Sequence, residues 1–380
     1  MISRRRFLGL VGGAGVLATS GCSLRALVPD AAPGAKKKTL VVVQLAGGND
    51  GLNTVVPDDG RYRDARPSVA IDEASLLRST ALAGYGLHPA LAPIVPLVDA
   101  GDVCVVQSVG LHHQSRSHFE CSQHWWDGGD GHQSLDTGWV GRWLDATKPS
   151  GTDNPLRAMA VGGGSGASAL RSDASVSTVV IEPAAFTVAD PAFAAALRAT
   201  GAPYIVAALD AADALAAPFA GETRGGDLTA DLTLAAELVT AGIGIEVLLV
   251  GAGGFDTHSG QAATHERLLG ELAAGIAAFQ TQITAAGMAD RVLLLTTSEF
   301  GRRVAENGSA GTDHGAGSCL LAVGSSVQGG VIGDLDLTNL LDGDVAPAID
   351  PRSFLAAGLD FLGGPTNEVF DSYEDLGVLA

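Results

Sequence analysis

Ile243-Gly-Ile-Glu-Val-Leu-Leu-Val250, followed shortly by Gly253-Gly254-Phe255-Asp256-Thr257-His258, is the stretch from which the fold is read. An apolar, β-branched run empties into a glycine turn that carries a carboxylate and an imidazole, the place where α/β enzymes expose ligands at strand ends. The pattern recurs. Leu40 to Leu45 runs into Gly47-Gly48-Asn49-Asp50, and Arg291 to Thr297 runs into Ser298-Glu299-Phe300-Gly301-Arg302; Gly311-Thr312-Asp313-His314-Gly315 is the last such cluster. Asp50, Asp256 with His258, Glu299 and His314 are therefore expected after successive strands, whose tips a parallel sheet brings to one edge. Asp256 and His258 are two residues apart, so on extended chain both side chains point the same way and suit one metal. Oxygen ligands mixed with imidazole indicate one or two divalent ions, Zn²⁺, Mn²⁺, Mg²⁺ or Ca²⁺.

Working outward, further strands are expected at Asp102 to Val109, Arg157 to Val161, Val176 to Ile181 and Leu320 to Val323. Leu40 to Leu45 is apolar but for Gln44, as a parallel strand buried on both faces should be. Gln261 to Gln282 carries Leu268, Leu269, Leu272, Ile276 and Phe279 on one stripe, an amphipathic crossover helix. His265 on that helix is expected to be a supporting or surface residue. A helix at Leu232 to Thr240 should pack beneath the sheet, and Pro351 to Leu362 should form the closing helix. These elements give an α/β fold in which residues 39–380 make one domain, with an alanine- and leucine-rich helical excursion near 183–240.

The 380 residues, 46% of them apolar, can build a substantial core. Met1-Ile2-Ser3-Arg4-Arg5-Arg6-Phe7-Leu8 and the short apolar run after it read as a twin-arginine export signal within residues 1–38. Thr19-Ser20-Gly21-Cys22 offers a lipoprotein processing site; ordinary cleavage near Ala31-Ala32 is the alternative. Export machinery is thus an expected partner, the periplasm or cell surface the expected location, and a lipid on Cys22 the one expected link to a membrane. Cutting before Cys22 removes three arginines and no acid, which moves the formal charge from −19 to −22. Nucleic acid is excluded as a partner by that charge. Cys104, Cys121 and Cys319 have no CxxC spacing, so neither a disulfide scaffold nor a zinc ribbon is indicated.

The densest polar cluster is Leu111-His112-His113-Gln114-Ser115-Arg116-Ser117-His118-Phe119-Glu120. A serine at a helix start can act as nucleophile while helix amides and an arginine hold an anion. Ser115 and Ser117 are candidates for that role, and equally for a plain helix cap. Trp125, Trp126, Trp139 and Trp143 follow; they either line a sugar or polymer groove or pack a core edge.

Five motifs in order, Gly-Gly-Asn-Asp-Gly-Leu-Asn-Thr-Val-Val-Pro (47 to 57), Ser-Arg-Ser-His-Phe (115 to 119), Gly-Gly-Phe-Asp-Thr-His (253 to 258), Ser-Glu-Phe-Gly-Arg-Arg-Val-Ala-Glu-Asn (298 to 307) and Gly-Thr-Asp-His-Gly (311 to 315), resemble the exported bacterial family of domain of unknown function 1501. More distantly, their order is similar to that of the alkaline phosphatase and sulfatase superfamily. That resemblance implies a three-layer α/β/α fold with a mainly parallel central sheet, alkaline-phosphatase-like, and a two-metal site for an anionic ester. On that pattern Asp256, His258 and His314 hold a first metal, and Asp50 and Glu299 a second beside Ser117 or Ser115. Arg116 and His118 then contact the anion. Glu299-Phe300 stands where the superfamily carries Asp-His, so the second site lacks an imidazole. The implied activity is metal-dependent hydrolysis of phosphate or sulfate esters, small or polymeric, by a serine nucleophile. The alternative is a non-catalytic cell-envelope binding or assembly protein that keeps the scaffold.

Overall fold

A computed structural model describes residues 37–112, 115–150, 154–162, 165–175, 177–180, 191–201, 205–206, 209–210, 212–213 and 227–380. The export signal, Cys22, His113, Gln114 and much of the 183–240 excursion lie outside the described residues.

Ten strands are described: β1 (Thr39–Leu45), β2 (Val55–Pro57), β3 (Tyr85–Leu87), β4 (Val103–Val109), β5 (Ala158–Gly162), β6 (Thr178–Val180), β7 (Val247–Ala252), β8 (Val292–Thr297), β9 (Ser318–Val323) and β10 (Gly330–Ile332). Eight form one sheet in the order β10-β4-β9-β8-β1-β7-β5-β6, while β2 and β3 make a separate antiparallel pair. β1 is flanked by β7 and β8, parallel to both, with Leu40 opposite Val247 on one side and Leu293 on the other. β9 is antiparallel to β4 and to β8, so it alone runs against the other seven.

The two-residue period of the strands sorts their side chains into two cores. Val41, Val43, Leu248, Val250 and Leu294 fall in one; Leu40, Val42, Val247, Leu249 and Leu295 fall in the other. Each such side chain contributes about 1.5–3 kcal/mol relative to exposure, and both faces of the sheet therefore need a helical cover. Helices α1 (His118–Asp127), α2 (Trp139–Ala146) and α5 (Pro351–Leu362) supply it on one face; α3 (Leu228–Thr240) and α4 (Gln261–Ala285) supply it on the other. This is the expected three-layer α/β/α arrangement around a mainly parallel sheet. All four tryptophans are buried in the face covered by α1, α2 and α5.

The differences from expectation are local. β7 begins at Val247, because Ile243 to Glu246 lead into the strand without pairing in its ladder. Tyr62 is fully buried, its hydroxyl donating to Asn53 Oδ1 (2.8 Å). His314 does not follow a strand: it precedes β9, and the antiparallel course of β9 is what brings it to the edge formed by the carboxyl ends of β1, β7 and β8.

Candidate metal centre

Four polar side chains converge at that edge. The Asp256 Oδ1 atom lies 3.1 Å from His258 Nε2 and 3.1 Å from His314 Nε2, and the two Nε2 atoms are 2.9 Å apart. His118 Nε2 approaches the other oxygen, Oδ2, at 3.5 Å. Ligand atoms of His118, Asp256 and His314 all lie within 4.8 Å of one another.

Each imidazole is oriented from behind through Nδ1. His314 Nδ1 meets the Arg116 carbonyl (2.8 Å), His258 Nδ1 the Asp313 carboxylate (3.0 Å), and His118 Nδ1 the Glu299 carboxylate (3.0 Å). These partners only accept, so Nδ1 carries the proton in each ring and Nε2 turns a lone pair toward Asp256. Lone pairs and a carboxylate oxygen at about 3 Å from one another repel unless a cation lies among them. Outer acceptors fixing the tautomer of inward-facing imidazoles are the arrangement of histidine metal sites. An N,N,O set of this kind fits a divalent ion of the zinc class better than Ca²⁺ or Mg²⁺, which prefer all-oxygen shells.

Arg302 organises the loops beneath the cluster. Fully buried, it donates from Nε to the Gly48 carbonyl (2.7 Å), from Nη1 to the Thr312 carbonyl (2.8 Å), and from Nη2 to the carbonyls of Gly47 and Phe255 and to Asp256 Oδ1 (2.8 Å). Burial pushes the Asp256 carboxyl up, but the Arg302 guanidinium, through its hydrogen bond and its charge, outweighs it and holds the group at about 2. Two glycines let the loops close this tightly. A Cβ on Gly47, whose φ is +119°, would stand 2.3 Å from the Asp256 nitrogen, and one on Gly311 would stand 2.3 Å from the His258 carbonyl carbon. Phe300 packs its buried ring against His314 and His118, with centroids 4.3 and 5.0 Å away.

Asp50 is not brought into this group. It caps the short helix Gly51–Thr54, pairs with Arg66 (2.6 Å) and accepts from Gln261 Nε2, with no exposed surface. Burial raises its carboxyl, and Arg66 and His265 more than reverse that, leaving it below the ordinary value. A carboxylate so saturated has no direction left for a second ion. Glu299 stands behind His118, its Oε1 also accepting from the Gly47 amide (2.7 Å), while its buried Oε2 has no hydrogen-bond partner among the described residues.

Ser117 occupies the cap position of α1, but its hydroxyl makes no cap bond; its amide donates instead to Ser115 Oγ (3.2 Å). Arg116 sits in the left-handed region (φ +60°) and pairs with buried Asp344, which Arg303 also contacts. Arg302, Asp313 and Asp344 were not singled out by sequence. The one signal for them was adjacency, Arg302-Arg303 after a strand tip and Asp313 beside His314. His265 is buried, donating from Nε2 to Asn49 Oδ1 (2.9 Å), so of its two expected roles the supporting one holds.

The pattern of the family described as Protein of unknown function (DUF1501) matches residues 110–377. The chain belongs to that family. The match takes in His118, Asp256, His258, Glu299, Arg302 and His314 of the DUF1501 chain, and leaves β1 and the Gly47 turn outside it. No curated protein matches the chain. Among solved structures, the C-terminal periplasmic domain of EcEptC from Escherichia coli is 9% identical, with 90% of this chain and 86% of that one covered at a TM-score of 0.45. A protein in the alkaline phosphatase superfamily from Vibrio parahaemolyticus is 10% identical over 87% and 67% at 0.43, and the lipoteichoic acid synthase LtaP from Listeria monocytogenes 9% over 90% and 76% at 0.43. Likenesses of this order assign no reaction to the DUF1501 chain.

Proposed function

We propose that this protein is an exported metal-dependent hydrolase of phosphate or sulfate esters. The observation that carries the reading is the convergence of Asp256 Oδ1, His258 Nε2 and His314 Nε2, each imidazole locked by an outer acceptor. These three residues hold one divalent ion, with Zn²⁺ the best match to the donors. When bound, such an ion supplies Lewis-acid polarisation of a phosphoryl or sulfuryl oxygen.

The chain's own residues do the rest. Asp256 keeps its charge down to acid pH and so stays available as a ligand over the physiological range. His118, held by Glu299, faces the remaining side of the site and contacts the bound anion. Arg116 spends one terminal nitrogen on Asp344 and keeps about a third of its side chain exposed, which leaves guanidinium donors for the ester's charge. Ser117, with its hydroxyl unused in capping, is the nucleophile. Among the described residues no helix is long and apolar enough to cross a membrane, in keeping with export through the signal at residues 4–8.

Elemental analysis of the folded, exported protein tests the reading. About one equivalent of transition metal is expected in the parent, and less than a tenth of that in Asp256→Ala and His314→Ala. With the ion restored, aryl phosphates and aryl sulfates are then assayed on the parent and on Ser117→Ala. No metal uptake from Zn²⁺, Mn²⁺, Mg²⁺ or Ca²⁺ would overturn the mechanism and leave an envelope binding protein in its place.

A further inference from the structure

Beside the imidazole cluster lies a cavity of about 490 Å³, bordered by His118 and Glu299 and within the size range of small-ligand sites. Its chemistry differs from that of the cluster. Among the described residues no lysine or arginine lines it and its one charged wall is the Glu299 carboxylate, so a second anionic group is disfavoured there. Gln44, Ser122, Gln123 and Ser168 supply amide and hydroxyl groups, each able both to donate and to accept. Gln44 is a polar residue near the end of β1, a strand otherwise made of Leu and Val after Thr39, and this wall accounts for its place.

Two aromatics complete the lining. Trp126 belongs to the buried core and shows one part of its ring system to the cavity. Phe119, on the first turn of α1, is 91% exposed at the rim. Aromatic surface next to clustered amides and hydroxyls suits a ring with C–H faces and equatorial hydroxyls. An aliphatic chain would leave those polar groups desolvated and unpaired.

We infer that this cavity binds the neutral, hydroxyl-bearing ring of the substrate's alcohol, so that the ester is one of a sugar or similar cyclic polyol. The inference rests on the ester-hydrolase reading for the placement of the anionic group, but the binding itself needs no metal and no turnover.

Full-length protein without added metal is titrated with methyl glycosides of the common hexoses, with 1-hexanol as the apolar control. Binding is followed by saturation-transfer NMR and tryptophan fluorescence. At least one glycoside should bind in preference to hexanol, with its ring protons saturated. Phe119→Ala and Gln123→Ala should each weaken it about tenfold, whereas Asp256→Ala should leave it within twofold. Hexanol binding as tightly, no glycoside binding at tens of millimolar, or indifference to both cavity variants would overturn the inference. Glycoside binding in a protein that takes up no metal would defeat the hydrolase reading alone; ester hydrolysis without glycoside binding would defeat this one alone.

Discussion

His265 makes the stability of this protein depend on pH in a window that can be isolated. The ring is 1% exposed, donates from Nε2 to Asn49, and leaves Nδ1 buried with no partner among the described residues. Burial pushes the imidazole down to about 4; Asp50 opposes the shift, and His88, Arg66 and Arg302 add to it. The folded value thus lies below the ordinary 6.5. Between those values the unfolded chain takes up a proton that the folded chain refuses, so stability is lost as pH falls through the window and levels off below it. The full displacement corresponds to about 3 kcal/mol, and about 2 kcal/mol of it is lost between pH 7.5 and pH 5. His265→Gln keeps a donor for Asn49 and removes the titration. Urea unfolding of parent and variant, at half-unit steps from pH 7.5 to 5, should show the parent losing about 2 kcal/mol more than the variant over that range. Parallel pH profiles would refute a neutral, buried His265.

Two further outcomes test the architecture around the centre. Asp50→Ala strands the Arg66 guanidinium in a site with no exposed surface and should cost about 3–5 kcal/mol in chemical unfolding, yet leave metal stoichiometry in the folded fraction unchanged; loss of metal without loss of stability would return Asp50 to the ligand set. Gly311→Ala drives a Cβ to 2.3 Å from the His258 carbonyl carbon, where both atoms belong to backbone and neither can swing away. It should lower metal affinity at least tenfold with about 1–3 kcal/mol of destabilisation, and metal affinity equal to the parent's by calorimetry would show that the loops approach less closely.

The strands were legible because their signal is local. Leu40 to Leu45, Arg291 to Thr297 and the run ending at Val250 are β-branched and apolar on both faces, and each empties into a glycine turn. Asp256, His258 and His314 could be placed at one edge on the same grounds. What the sequence did not carry is who stands opposite whom. Asp50 and Asp256 look alike in their glycine turns, and only the fold reveals that Asp50 faces Arg66. The direction of β9 was hidden for a similar reason, since a short apolar run reads the same in either sense. Arg302 shows the limit most plainly: its partners are four backbone carbonyls and one carboxylate, drawn from three loops, and carbonyls leave no mark in a sequence.

The reversed course of β9 has a consequence for how this centre can change. A parallel neighbour would oblige the chain to cross the whole sheet before returning, but β8 and β9 run opposite ways, so residues 298–317 leave and re-enter the sheet at one rim. The excursion is tied at its base, where the Gly301 amide donates to the Ala316 carbonyl and the Gly301 carbonyl accepts from the Gly315 amide, and Arg302 bridges His314. It carries Glu299, Arg302, Asp313 and His314 on one continuous piece. Such a piece behaves as a cassette: its two anchors and the sheet beneath them hold their places while the residues between them shape the mouth of the centre.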